Sequence, residues 1–159
     1  MSYEAPETLD AAVGLLAGES GQVKVLAGGT DVLVQIHADM IEPDVIVDIK
    51  KIAEMREVTN EDGAWRFGAA VTGKELMDHP GFNAAWPGIM DGVRLLGSVQ
   101  VRGRATVGGN VCNASPAADS VPPMITAKAV ATVVGPNGTR EVPVEDIGIA
   151  PGKTSLEAG

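Results

Sequence analysis

Two glycine pairs, each set among small and hydroxyl-bearing residues, are the parts of this sequence best suited to hold an anion. The first is Ala27-Gly28-Gly29-Thr30-Asp31, behind the β-branched run Val23 to Leu26. The second is Thr106-Val107-Gly108-Gly109-Asn110, behind Val101-Arg102-Gly103-Arg104-Ala105. A glycine pair turns the backbone sharply with no Cβ in the way and points successive N–H groups at one place. A pyrophosphate can be held there without cationic side chains. Thr30, Thr106 and Asn110 add hydroxyl and amide groups. Taken singly, each pair is read first as a tight turn between strands. Neither segment matches G-x-G-x-x-G or G-x-x-x-x-G-K-[ST], which disfavours a standard NAD fold and an ATPase. Directly after the second pair comes Asn113-Ala-Ser-Pro-Ala-Ala-Asp119. The Asp119 carboxylate either accepts hydrogen bonds from sugar hydroxyls or caps the next helical turn, and the residues leave both readings open.

Little else in the chain offers chemistry. His37 and His79 are its only histidines, too few for a histidine-based metal site, and His79 before Pro80 reads as a turn residue. Cys112 is the single cysteine, which excludes an internal disulfide and any zinc or cluster site built from this chain's own thiolates. It reads as a small packing residue. Lys50-Lys51 reads as a solvated helix start, whereas Arg102 and Arg104 flank the second glycine segment and can face phosphates or a partner. No Ser-His-Asp or Cys-His arrangement and no carboxylate pair suited to glycoside chemistry stands out. A net charge of -9 with no basic run argues against a nucleic-acid surface. The acidic stretch Met1 to Asp10 is no signal peptide and no apolar stretch is long enough to span a membrane, so a reducing, cytoplasmic setting is expected.

The elements that must position these segments follow from periodicity. Leu9, Val13 and Leu16 recur at helical spacing until Gly18 to Gly21 halt the pattern. Val23 to Leu26 is a short strand, and Thr30 is placed to cap a helical turn through Leu33 to Ile36. Val45 to Asp48 is a second apolar strand, giving a β-α-β unit with parallel strands. Beyond Ala53 the elements shorten. Arg56 to Thr59, the turn Asn60 to Gly63 and Trp65 to Gly68 predict a hairpin. Thr72 with Glu75 predicts a capping box, on a helix ending near His79-Pro80. Pro87 to Leu96 predicts a helix with Ile89, Val93 and Leu96 inward, and Ala127 to Val134 pairs with Arg140 to Val144 around Pro136-Asn-Gly138. The chain thus divides into an α/β lobe over residues 1–55 and a mainly antiparallel lobe with helices over 56–159, with room for a cofactor in the cleft between them. At 45% apolar and 3% aromatic residues, both cores must be filled by aliphatic side chains.

The segments "VLAGGTDVLVQI", "VDIKKIAEMREV", "FGAAVT" and "VRGRATVGGNVCNASPAADSVPPM" resemble, in combination and order, the medium, FAD-binding subunit of the xanthine dehydrogenase and carbon monoxide dehydrogenase family of molybdenum hydroxylases. The resemblance covers nearly the whole chain. It implies an α+β fold of the para-cresol-methylhydroxylase type, with a small β-α-β lobe and a mainly antiparallel sheet lobe with helices, and without the family's C-terminal domain. It implies non-covalent FAD, with Val25, Leu26, Ala27, Gly28, Gly29, Thr30, Asp31 and Val32 around the pyrophosphate and Thr106, Val107, Gly108, Gly109 and Asn110 against the cofactor's other side. Asp119 matches a position that binds the FAD, and Leu96 a position packed by the flavin. The implied partners are a small subunit with [2Fe-2S] clusters and a large subunit with molybdenum-pterin, arranged as a dimer of heterotrimers. Electrons pass through FAD to NAD or another acceptor. Gly103 stands where family members usually carry Asn, which predicts a looser approach to the second segment. The cysteine-bearing insertion of some relatives is absent, so no additional cluster is expected. The alternatives are another flavin oxidoreductase of the same fold, such as a stand-alone oxidase or a cell-wall-precursor reductase, and a cofactor-free assembly module. The first would need a substrate domain of its own; the second would co-purify with partners without flavin.

Overall fold

Val45 to Asp48 is buried at every position, the pattern of a parallel strand covered on both faces. It is strand β3, at the centre of a three-stranded parallel sheet between β1 (Ser2–Glu4) and β2 (Val23–Leu26). The register sets both Ser2 and Val23 opposite Val45, and Leu26 opposite Asp48. Helix α1 (Leu9–Gly18) lies on β3 through Ala12, and α2 (Val32–His37) follows the first glycine pair. The structure is a computed structural model describing residues 1–18 and 21–157; the expected break from Gly18 to Gly21 falls partly outside the described residues.

Strand β1 carries no apolar signal. All three of its residues are exposed; backbone pairing along the edge of β3 and the Tyr3 hydroxyl's bond to Asp48 hold it. The expected cap on α2 is corrected. Asp31, not Thr30, is the N-cap residue, with φ -104° and ψ -54°, and no side chain makes a capping hydrogen bond there.

In the second half, the first predicted hairpin is present as β4 (Val58–Glu61) and β5 (Ala64–Phe67). Pairing runs further than the sequence suggests, and the turn tightens to Asp62 and Gly63, both at positive φ as a two-residue hairpin turn requires. Helices α3 (Gly73–Asp78), α4 (Pro80–Ala85), α5 (Pro87–Arg94), α6 (Val99–Arg102), α7 (Val107–Asn113) and α8 (Val121–Thr126) follow. The Thr72–Glu75 capping box forms in full, and His79 caps α4 by accepting the Phe82 N–H at its Nδ1, 3.1 Å away. Ile89, Val93 and Leu96 all face inward. Strands β6 (Val130–Gly135) and β7 (Gly138–Pro143) make the second hairpin, and β8 (Gly148–Ala150) pairs with β9 (Lys153–Thr154).

The strands of the second half pair antiparallel, as expected, and they do so in small sheets. Among the described residues the second half carries separate two-stranded hairpins around short helices, not one continuous sheet. The reason is the core. Leu76, Phe82, Met90, Val93, Val107 and Met124, mostly from helices, fill it, and Val142, Val144 and Ile147 close it from the β7 side. Trp65 and Phe67 pack edge-on against Phe82, the only fully aromatic cluster this aromatic-poor chain builds among the described residues. A smaller core of Val45, Val47, Ile49, Ile52, Ala12 and Ala70 lies under the parallel sheet.

Candidate functional site

The first glycine pair leaves the carboxyl end of β2 beside the carboxyl end of β3, where ligands of open parallel sheets bind. Gly29 has φ +81°, a conformation a side chain strains, so glycine is needed for the turn itself. Among the described residues the N–H groups of Gly28, Gly29, Thr30 and Asp31 find no acceptor within the chain; the next bond is from Leu33 N–H to the Gly29 carbonyl, at 3.2 Å. Four successive donors thus remain free in one half-buried turn. Such a concave run of amides binds anions.

Gly28 is glycine for a different reason. A Cβ there would overlap the Arg104 carbonyl oxygen and sit 3.0 Å from Ala105 Cα. The first turn therefore presses directly on the chain leading into the second glycine segment, and the two expected segments are neighbours in space. That second segment is not the loop its glycines suggest. Thr106, 3% exposed, is the N-cap of α7 and accepts the Gly109 N–H at 3.0 Å, while Val107 is buried in the larger core. Gly108 and Gly109 are helical. A Cβ at Gly108 would lie 2.8 Å from Ala69 Cα, and one at Gly109 would lie 2.7 Å from Thr106 Oγ1. Gly108 lets α7 approach residue 69, whose neighbour Ala70 is tied back to Met55 through a 2.9 Å backbone bond, while Gly109 leaves room for its own cap, the Thr106 hydroxyl.

The remaining expected residues divide. Asn110 accepts from the fully buried Ser120 hydroxyl at 2.6 Å, so the turn carrying Asp119 is fastened to α7. Ser120 occupies the N-cap of α8, which removes the capping alternative for Asp119; the Asp119 carboxylate is exposed, and its carbonyl packs on Gly92, where a Cβ would approach to 2.5 Å. Leu96 is 7% exposed within the core cluster, while Leu95 beside it is 66% exposed. Val25 and Asp31 are exposed, Leu26 is buried, and Ala27, Thr30 and Val32 are half-buried. Cys112, expected to pack, is instead accessible on α7; desolvation by the surrounding atoms still pushes its thiol pKa up.

Two basic residues border this junction in a chain of net charge -9, Lys50 through its side chain and Arg104 through its backbone against Gly28. Arg104 is exposed and, among the described residues, makes no side-chain hydrogen bond or ion pair. Lys50 is no freely solvated helix start. Its Nζ lies 2.8 Å from the Asp48 carboxylate and donates to the Ala27 carbonyl at 3.1 Å. Arg102, by contrast, turns inward to the Arg94 and Gly97 carbonyls at the end of α5. Asp48, Ser120 and Ala69 carried no signal in the sequence, because each matters through a partner distant in the chain. Two shallow concavities, one around Val133, Pro136 and Arg140 and one around Gln22, Met40 and Glu42, do not include the glycine turns.

The family described as FAD binding domain in molybdopterin dehydrogenase matches residues 1–159. The chain belongs to this family. As a member of it, the chain is 40% identical over 157 residues to the putative xanthine dehydrogenase FAD-binding subunit of Escherichia coli, covering 98% of this chain and 53% of that protein. It is 31% identical over 155 residues to the carbon monoxide dehydrogenase medium chain of Hydrogenophaga pseudoflava, covering 98% and 54%. A solved structure of carbon monoxide dehydrogenase from the same organism superposes with a TM-score of 0.94 at 30% identity, over 99% of this chain and 55% of that one. The chain spans about half the length of the relatives it matches. The α+β architecture with small sheets is that of these FAD-binding domains. The acceptor-free amides at Gly28 to Asp31, gathered in one turn among the described residues, fit the diphosphate of the family's cofactor, FAD.

Proposed function

We propose that the chain is the FAD-binding part of an electron-relaying subunit in a dehydrogenase of the molybdenum-hydroxylase type, with FAD held non-covalently at the junction of the two glycine segments. The observation that carries this reading is the run of acceptor-free N–H groups from Gly28 to Asp31, flanked by Lys50 and Arg104. Val25 through Val32 follow the diphosphate, with the main-chain donors bearing its charge. Thr106 through Asn110 close the other side, where the Thr106 cap fixes the start of α7. The exposed Asp119 carboxylate accepts hydroxyls of the ribityl or ribose groups, and Leu96 supports the flavin side from the core beneath. FAD supplies the redox chemistry when bound; the protein's work is placement and exclusion.

In this reading the fold is of the para-cresol-methylhydroxylase type, with lobes over 1–55 and 56–159. Electrons reach the site from [2Fe-2S] clusters in a small subunit, supplied by a molybdenum-pterin site in a large one, within a cytoplasmic dimer of heterotrimers, and leave to NAD or a similar acceptor. The names of the relatives, a medium chain and FAD-binding subunits, support a place in such an assembly. No described helix is long and apolar enough to cross a membrane. Titration of the purified chain with FAD tests the central claim. Quenched flavin fluorescence with a perturbed absorbance band is expected, and a chain that stays colourless after FAD soaking and desalting overturns it.

A further inference from the structure

Beneath the first glycine turn lies a polar cluster contributed by both edges and the centre of the parallel sheet. Asp48, at the carboxyl end of central β3, has a side chain only 7% exposed. Its Oδ1 accepts the Lys50 backbone N–H at 2.9 Å, and its Oδ2 takes both the Tyr3 hydroxyl at 2.5 Å and the Lys50 ammonium at 2.8 Å. Lys50 then reaches the Ala27 carbonyl, the last acceptor before the turn. Burial alone would raise the Asp48 pKa; the Lys50 and Tyr3 hydrogen bonds outweigh it and hold the carboxyl below its ordinary value.

Resting on the flavin reading above, we infer that Asp48 and Lys50 are positioning residues for the FAD diphosphate: they clamp the Ala27 carbonyl toward β3 and thereby fix the Gly28 to Asp31 amides in their donating orientation. A peptide unit is planar, so fixing the Ala27 carbonyl fixes the Gly28 N–H on its opposite side. Among the described residues the turn otherwise has no bond before Leu33 N–H to Gly29 carbonyl, and two glycines in succession make it entropically costly to hold still. A buried carboxylate is rigid because its orientation is set by three donors; the lysine transfers that rigidity to the turn. Tyr3, from the edge strand β1, completes the carboxylate's shell.

The test uses the whole chain as wild type, Lys50→Met, Lys50→Arg and Tyr3→Phe, with two readouts: backbone amide order parameters of Gly28 to Asp31 without FAD, and FAD affinity by fluorescence quenching. The wild-type turn is expected to be as rigid as the neighbouring strand. Lys50→Met is expected to loosen those amides and weaken FAD binding about tenfold, the scale of one charge-assisted hydrogen bond. Lys50→Arg restores much of both, and Tyr3→Phe gives a smaller loss in the same direction. Unchanged order parameters in Lys50→Met overturn the inference, whether or not affinity falls, since an affinity loss with a rigid turn means a direct charge effect. A wild-type turn that is rigid and loosens in Lys50→Met, in a chain with no affinity for FAD, overturns the flavin reading and leaves the clamp standing. Tyr3→Phe and Lys50→Arg change side chains that are largely exposed or conservatively replaced, so both readouts survive if Lys50→Met folds poorly.

Discussion

At Gly28-Gly29 the backbone leaves the regular region, with φ +81° at Gly29, and four amides stand without acceptors among the described residues. At Gly108-Gly109 the backbone is helical, and the Gly109 amide is taken by Thr106. Both pairs look alike as letters. In the first, missing side chains free a turn and its donors; in the second, Gly108 lets a helix approach residue 69 and Gly109 makes room for the helix's own cap. A glycine pair therefore specifies close approach, and only its surroundings say whether a ligand or the protein itself comes near.

Gly28→Val is the strongest way to break the contrast. Its side chain meets main-chain atoms of Arg104 and Ala105, which cannot swing aside, so the two segments must separate. A loss of about 3 kcal/mol in stability and a collapse of FAD affinity are expected from urea denaturation and flavin titration. Gly108→Ala tests the other side. Overpacking against Ala69 costs about 1–3 kcal/mol, offset by about 1 kcal/mol of helix propensity, and FAD affinity falls less than in Gly28→Val. If Gly108→Ala instead abolishes binding with stability intact, the second pair is a ligand surface like the first.

Thr106→Ala removes the α7 cap and should cost about 1 kcal/mol in chemical denaturation, more if the buried site stays dry. The Asp48 carboxyl gives a smaller, pH-dependent effect. Its pKa is lowered in the folded chain, so its stabilisation is complete above the ordinary value of 3.8 and fades as pH falls below it toward the lowered value. Acid unfolding of Asp48→Asn should lack that part of the slope; an identical slope would show that the carboxylate contributes nothing. Gly103→Ala is the mildest change. Gly103 has φ -67° and ψ -14°, with its nearest Cβ contact 3.4 Å away at the Gln100 carbonyl, so alanine fits. A gain of about 0.5 kcal/mol in melting experiments is expected, because the substitution restricts only the unfolded chain. The expected loosening by Gly103 has no counterpart in this geometry.

Much of the fold was legible because its signals are local. The β-branched runs at 23–26 and 45–48, the Thr72–Glu75 box and the 136–138 turn each act through neighbours within a few residues, and each forms where the sequence places it. Strand β1 was illegible, since an exposed three-residue edge is held by backbone pairing and one tyrosine hydroxyl, both to a strand over forty residues away. The antiparallel hairpins were legible, but not that they stay separate: period-two patterns reveal hairpins, not whether hairpins join. Of the site, the glycine segments were visible by composition. Asp48, Ser120 and Ala69 were not, because a buried partner leaves no mark beside itself in the chain.

Residue types and spacing alone determined which segments can turn, which can pair, and that backbone donors rather than basic side chains would meet an anion. Tertiary structure decided that the two glycine segments touch, that one is a turn and the other a helix start, and that Lys50 looks inward to Asp48. Local propensity acts over a few residues, whereas contact between residues 28 and 104 exists only once two cores have formed and brought distant backbone within van der Waals reach.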